Sequence, residues 1–211
     1  LLNRPAFSVF VAYKLYKHFV SDIDDPTRIR PESKYVINLM AQTLLSSRYE
    51  MKPVLKQLFR SQHFYDPAIM GAMIKSPAQL VVGAVRTLGT PTRDLGTLCD
   101  AMNMMGQRLF DPPSVAGWAG GRNWMNTSTL FVRQNICTYL LTGRMPSTSK
   151  GAGKSDYDPL PLIASAGGKS PEAVVDHLMA MLLGSHIVPE RRAQLVAYYK
   201  DRGGKPTPDT L

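Results

Sequence analysis

The sequence lacks several features that would each point to a class of function. No apolar run comes near the about 20 residues that a membrane-spanning helix needs. The net charge is +9, yet Arg191 and Arg192 are the only adjacent basic pair, and no nucleic-acid-binding motif accompanies them. We therefore expect no transmembrane segment and no nucleic-acid partner.

Metal and cofactor motifs are also missing. Two cysteines, Cys99 and Cys137, lack the paired spacing of a zinc site, and we expect two free, buried thiols unless the protein is exported, where one disulfide is possible. The four histidines stand apart from one another and from acidic clusters. The acidic turn after Ser21 has Ser33 where a calcium loop requires glutamate. GAGKS at 151–155 lacks the earlier glycine and the strand of a phosphate loop. We expect no metal and no cofactor.

What the sequence has is helical periodicity. Apolar residues recur at spacings of three and four along most of the chain, and no useful alternating strand pattern appears. This predicts an all-α fold, an irregular multi-helix bundle with a Gly/Trp-rich loop packed on it. Ser76, Pro77 and Gln79 predict one helix start with a capping box, and Gly89 predicts its end. The predicted helices cover about 5–20, 32–46, 51–61, 77–88, 94–106, 127–142, 171–183 and 189–200.

Composition divides the chain into four parts. Residues 1–145 are predicted to form a helical core that carries the Trp/Gly loop at 110–127. Residues 146–169 are rich in Gly, Ser, Pro and Lys and predict a mobile linker or a binding loop. Residues 170–200 predict a C-terminal helix pair, and 201–211 predict a disordered tail.

The loop FDPPSVAGWAGGRNWMNTSTL, residues 110–130, holds both tryptophans and has Asp111 as its one acid. Prolines stiffen its start and glycines permit tight turns, which makes Pro112, Pro113, Gly117, Gly120 and Gly121 structural candidates. Aromatic faces beside amide and guanidinium donors suit a glycan or a polar protein surface. The candidate ligand-binding residues are Trp118, Arg122, Trp124, Asn126, Arg133 and Asn135.

Two interpretations of this loop remain open. It either presents these side chains to a ligand, or it is a rigid loop whose tryptophans fill the helical core. Both interpretations could hold together, with one tryptophan packed in the core and the other presented to a ligand. A nucleophile is not apparent, because Ser114 has no base near it in sequence and no GxSxG turn is present. The catalytic residues, if there are any, are therefore unknown.

The segment PPSVAGWAGGRNWMNTSTLFVRQNI, residues 112–136, resembles PPNVxGWPGGxxWINxxTLLxRxNF, the hallmark of the bacterial family called domain of unknown function 1800. Ala119 replaces a usual proline and Ile136 an aromatic residue. The resemblance extends over most of residues 1–200 and corresponds to the C-terminal half of such proteins. It implies an α-helical fold, a fragment or processed product of a longer chain, and a periplasmic or cell-surface location.

The resemblance implies no reaction, so three hypotheses are carried forward. The first is an exported helical protein that binds a cell-envelope polysaccharide or a secreted partner protein through the 110–135 loop and helix. The second is a hydrolase acting on surface polymers, with catalytic acids outside the motif. The third is a structural assembly subunit. Whether the protein is an enzyme, and its oligomeric state, stay open.

Overall fold

A computed structural model describes residues 4–22, 28–91, 94–143, 157–164, 166, 170–184 and 188–205. Over these residues the chain forms eight α-helices and no strand, so the all-α prediction is confirmed. The helices are α1 Pro5–Phe19, α2 Pro31–Ser46, α3 Met51–Arg60, α4 Pro77–Leu88, α5 Leu95–Met104, α6 Thr127–Thr142, α7 Pro171–Leu183 and α8 Pro189–Asp201. None of these helices is long and apolar enough to cross a bilayer.

The chain divides into two compact units. The first comprises residues 1–74 together with 120–122, and the second comprises residues 75–119 and 123–211. Of the predicted linker at 146–169, only 157–164 and 166 are described, and they include a short 3₁₀ turn, Leu160–Ile163. The predicted tail lies outside the described residues from 206 onward.

The first unit is built on α1, α2 and α3. Its core contains the fully buried Tyr16, Met40 and Leu44. The Tyr16 hydroxyl lies 2.8 Å from Ser33 Oγ and 2.7 Å from His63 Nε2, so a polar chain crosses this core with its hydrogen bonds made. Burial lowers the pKa of His63. The lowered pKa favours the neutral imidazole, which can act as the hydrogen-bonding partner of Tyr16.

The second unit begins with α4, α5 and α6, which pack on one another around Val81, Ile136 and Leu140. Met102 and Met105 are buried in this core, as expected of methionines that fill gaps, whereas Met104 is exposed. Cys99 and Cys137 are both free. Cys99 is exposed on α5 and Cys137 is only partly buried, so the expectation of two buried thiols is wrong.

The helix starts that frame the candidate site follow the local sequence. Ser76 caps α4 and forms a capping box with Gln79, and Gly89 ends that helix in the left-handed conformation. Asn126 caps α6, and Gly143 ends it in the same way. Because α5 ends at Met104 and α6 begins at Thr127, these two helices bound the tryptophan-containing loop.

Candidate functional site

The first part of the loop, residues 107–119, is here called the Phe110 segment. Phe110 has a φ of +62° and is 99% exposed. A bulky residue rarely adopts this left-handed conformation, which costs roughly 1–2 kcal/mol. The turn is held by a hydrogen bond from Asp111 N to Arg108 O and by an ion pair of 3.1 Å between the two side chains. The segment thus displays an apolar ring on a constrained turn.

A second turn follows directly. Ser114 O accepts from Gly117 N at 2.9 Å, and Ser114 Oγ accepts from Ala116 N at 3.2 Å. These bonds leave Val115 fully exposed at the tip. Pro112 and Pro113 are also exposed. Ser114 is therefore engaged in turn formation, which is the role its hydroxyl plays in this structure.

The two tryptophans have different environments. Trp118 is half-buried, whereas Trp124 is only 7% exposed. The ring of Trp124 lies against Gly106, where a Cβ atom would come within 3.7 Å of Cζ3. Trp124 ends a 3₁₀ turn, Gly121–Trp124, and Gly117, Gly120 and Gly121 all have positive φ. Of the two tryptophans, Trp118 is therefore the more exposed.

Residues 123–129, here called the Trp124 segment, are tied to the start of α6 by Thr129. Its hydroxyl donates to Trp124 O at 2.9 Å and accepts from Asn126 N at 2.9 Å. Asn126 Oδ1 in turn accepts from Thr129 N at 2.9 Å. Asn126 is therefore occupied in capping the helix, although sequence analysis proposed it as a ligand-binding residue.

Arg133 is the candidate residue with unused hydrogen-bonding capacity. It projects from α6, and its Nη2 donates to Lys75 O at 2.8 Å. Its Nε is buried and makes no hydrogen bond to any described atom. Burial lowers the pKa of this guanidinium, and no described carboxylate forms a salt bridge with it. A guanidinium with an unpaired N–H donor is suited to bind a carboxylate or a phosphate.

Arg133 lines a groove of about 610 Å³ between α4 and α6. Leu130 is 48% exposed and Phe131 is 62% exposed on its wall. Cys137 also lines the groove. The pKa of its thiol is raised, because the effect of burial exceeds the opposing effect of the Arg133 charge. The groove combines an apolar surface with one cation.

Asn135 lies on another side of α6. Positions two residues apart on an α-helix are rotated by roughly 200° about its axis, so Arg133 and Asn135 point in nearly opposite directions. Asn135 lines a separate pocket of about 300 Å³ with Asp100 and Met104 of α5. The motif thus distributes its polar residues over two surfaces of α6.

The structure brings some of the predicted residues together and separates others. Trp124 and Asn126 meet at the cap of α6, and Arg133 lies one helical turn beyond Thr129. Arg122 is exposed and belongs with Gly120 and Gly121 to the first unit, whereas the other five ligand-binding candidates belong to the second.

Sequence analysis missed the exposed wall of the groove. Its helical pattern for residues 127–142 does not say which apolar positions face the core, and Leu130, Phe131 and Leu141 are exposed. A signal was present, because apolar residues occupy most of the circumference of α6 and one core can cover only part of it. Leu80 of α4 completes the groove and could be placed there only once the packing of α4 on α6 was known.

No group of three or more His, Cys, Asp or Glu side chains among the described residues lies close enough to hold a metal ion. Around α6, the described residues provide an apolar wall and a guanidinium.

Comparison with known proteins gives one match. The family model described as "Protein of unknown function (DUF1800)" matches residues 1–210. No curated protein and no solved structure matches the chain.

Proposed function

From the premise that this chain belongs to the family described as a protein of unknown function, DUF1800, we propose that it is a binding module. Its ligand is a partner protein, held in the groove between α4 and α6. The observation that carries this proposal is Arg133, whose buried Nε has no hydrogen-bond partner among the described residues. A buried donor left unpaired costs free energy, and an incoming carboxylate would remove that cost.

The apolar wall supports a protein ligand. Leu130 and Phe131 together present a branched aliphatic and an aromatic side chain beside the guanidinium. Interfaces of this kind use a desolvated cation surrounded by apolar contacts. We therefore propose that the ligand contributes an Asp or Glu side chain, or a chain terminus, flanked by apolar residues.

The test is selection of peptides from a random displayed library on the purified protein. We expect enrichment of peptides that carry an acidic residue beside apolar ones. Arg133→Ala should weaken their binding at least about tenfold, as expected for a lost charged hydrogen bond. Arg86→Ala is the matched control, because Arg86 is an exposed arginine on α4 that forms no ion pair with a described residue. Peptides without an acidic residue, or equal binding by both variants, would contradict the proposal.

A glycan is the second candidate, and the half-buried Trp118 favours it. An indole ring can stack on the apolar face of a sugar ring. Trp124→Phe leaves Trp118 as the only tryptophan. A saturable change in its fluorescence with neutral or uronic-acid oligosaccharides would support this candidate, and an emission indifferent to all of them would reject it.

The proposed location is the periplasm or the cell surface, and it rests on the family resemblance. Fractionation of cells that produce the natural full-length protein would test it. Recovery in the cytoplasmic fraction would contradict the proposal, and the partner would then have to be sought among cytoplasmic proteins.

A further inference from the structure

The helix pair α7–α8 has two unlike sides. On one side its charges are matched, since Glu172 pairs with Lys200 at 2.5 Å and Asp176 pairs with both Nε and Nη2 of Arg192 at 2.5 and 2.7 Å. Val174, Met179 and Val196 form a small buried core between the helices. These ion pairs and this core hold the two helices together, and Val174 and Met179 of the core also line the groove described next.

The other side is an apolar groove of about 310 Å³. Leu178 and Leu182 of α7 line one wall, and Leu195 and Tyr198 of α8 line the other. The groove is open to solvent, with Leu183 64% exposed and Tyr198 57% exposed. Val175 and Leu182 also line it and are seven residues apart, so this wall extends for roughly 10 Å, about two helical turns.

Two arginines accompany the groove residues of α8, and Asp201 is the neighbouring exposed acid. One face of α8 carries residues spaced by four, three and four positions, ending at the C-cap: Arg191, Leu195, Tyr198 and Arg202. The Arg202 guanidinium lies 4.8 Å from the centre of the Tyr198 ring, and Arg191 donates to Gln194. Neither arginine forms an ion pair with a described residue. The acids of α7 are engaged by Lys200 and Arg192.

We propose that this groove is a docking site for an amphipathic helix that carries acidic residues along its apolar face. The concave shape admits the ridge of a helix, and the pattern matches recognition by a helix in a groove. The two arginines are 11 residues apart, or roughly 16 Å along α8. A partner with carboxylates about three turns apart therefore places both against a guanidinium while its apolar residues fill the space between.

The probe is a synthetic 18-residue helical peptide with leucine at every third and fourth position and glutamate flanking that stripe. A second peptide of the same pattern has lysine in place of glutamate. Binding to the whole protein is measured by fluorescence anisotropy of the labelled peptides. We expect the glutamate peptide to bind at least tenfold more tightly than the lysine peptide, because like charges oppose association.

The decisive variant is the double substitution Arg191→Glu with Arg202→Glu. It should reverse the preference, so that the lysine peptide binds more tightly than the glutamate peptide. Arg86→Glu, on α4, is the matched control and should leave the preference unchanged. A single variant, Leu182→Ser, should weaken both peptides, and circular dichroism at 222 nm verifies that every variant keeps its helices.

Three results would overturn the proposal. Equal binding of both peptides would reduce the groove to a nonspecific apolar surface. The surface would be assigned to a membrane if the protein bound phosphatidylglycerol vesicles, lost that binding in the double variant, and did not bind the glutamate peptide. The groove would be assigned to a second copy of the chain if sedimentation showed concentration-dependent dimerisation that Leu182→Ser abolished, while the glutamate peptide failed to bind.

Discussion

The Phe110 segment and the Trp124 segment belong to the same loop but relate to the protein core in opposite ways. The first displays Phe110 and Val115 to solvent and is held by turn hydrogen bonds and a local ion pair. The second buries Trp124 and anchors it to α6 through Thr129. The comparison teaches that one stretch of prolines, glycines and tryptophans can contain both a packed anchor and a displayed surface.

The largest expected effect comes from Trp124→Ala. Removing a buried indole should lower the free energy of unfolding by about 3–5 kcal/mol. Denaturant unfolding followed by circular dichroism measures it, with Trp118→Ala as the control in the half-buried position. If Trp118→Ala were the more destabilising of the two, the contrast between the segments would be reversed.

Thr129→Val should have the next largest effect. It keeps the shape of the side chain but removes the hydroxyl that bonds Trp124 O and Asn126 N. Leaving buried polar groups unpaired costs about 1–3 kcal/mol. Thr129→Ser restores the hydroxyl and should recover most of the loss in the same unfolding measurement. A larger loss in Thr129→Ser than in Thr129→Val would mean that the methyl group, and not the hydrogen bonds, matters at this position.

Phe110→Gly is expected to stabilise the protein slightly. Glycine adopts positive φ without strain, which should raise the free energy of unfolding by roughly 1–2 kcal/mol. The greater freedom of glycine in the unfolded chain should lower it by about 0.5–1 kcal/mol. Phe131→Gly is the matched control, because Phe131 is also exposed but lies within α6. That variant should destabilise the protein by about 1 kcal/mol. A destabilised Phe110→Gly would show that the ring is packed, contrary to its exposure.

The smallest expected effect on stability comes from Trp118→Phe, which should change the free energy of unfolding by less than about 1 kcal/mol. Its value is spectroscopic, because Trp124 is then the only tryptophan. Its emission should be blue-shifted, and the emission of Trp118 in Trp124→Phe should lie at longer wavelength. Identical spectra for the two variants would remove the distinction between the two environments.

Local chemistry explains what could be predicted from sequence. The capping box of Ser76 and Gln79 and the helix end at Gly89 depend on residues close to one another in sequence, and the structure has them where the sequence predicts them. The all-α fold follows from periodicity that no strand pattern opposes. Such features need no knowledge of which helices become neighbours.

The remaining features depend on distant packing. Nothing in the residues around Trp118 and Trp124 determines which ring is buried, because Gly106, against which Trp124 packs, belongs to the turn after α5. The solvation of Arg133 depends on Lys75, 58 residues away. The positive φ of Phe110 could not be read from its side chain, since phenylalanine disfavours that conformation.

The hydroxyl of Thr129 has a consequence for motion. Since it bonds both the cap of α6 and the carbonyl of Trp124, fraying of the first turn of α6 removes the tether that keeps the indole in place. Local openings of this kind occur with a free energy below that of global unfolding. The first amides of α6 and the indole N–H of Trp124 should therefore exchange with deuterium in a single concerted event, and the loop and the helix start then form one cooperative unit.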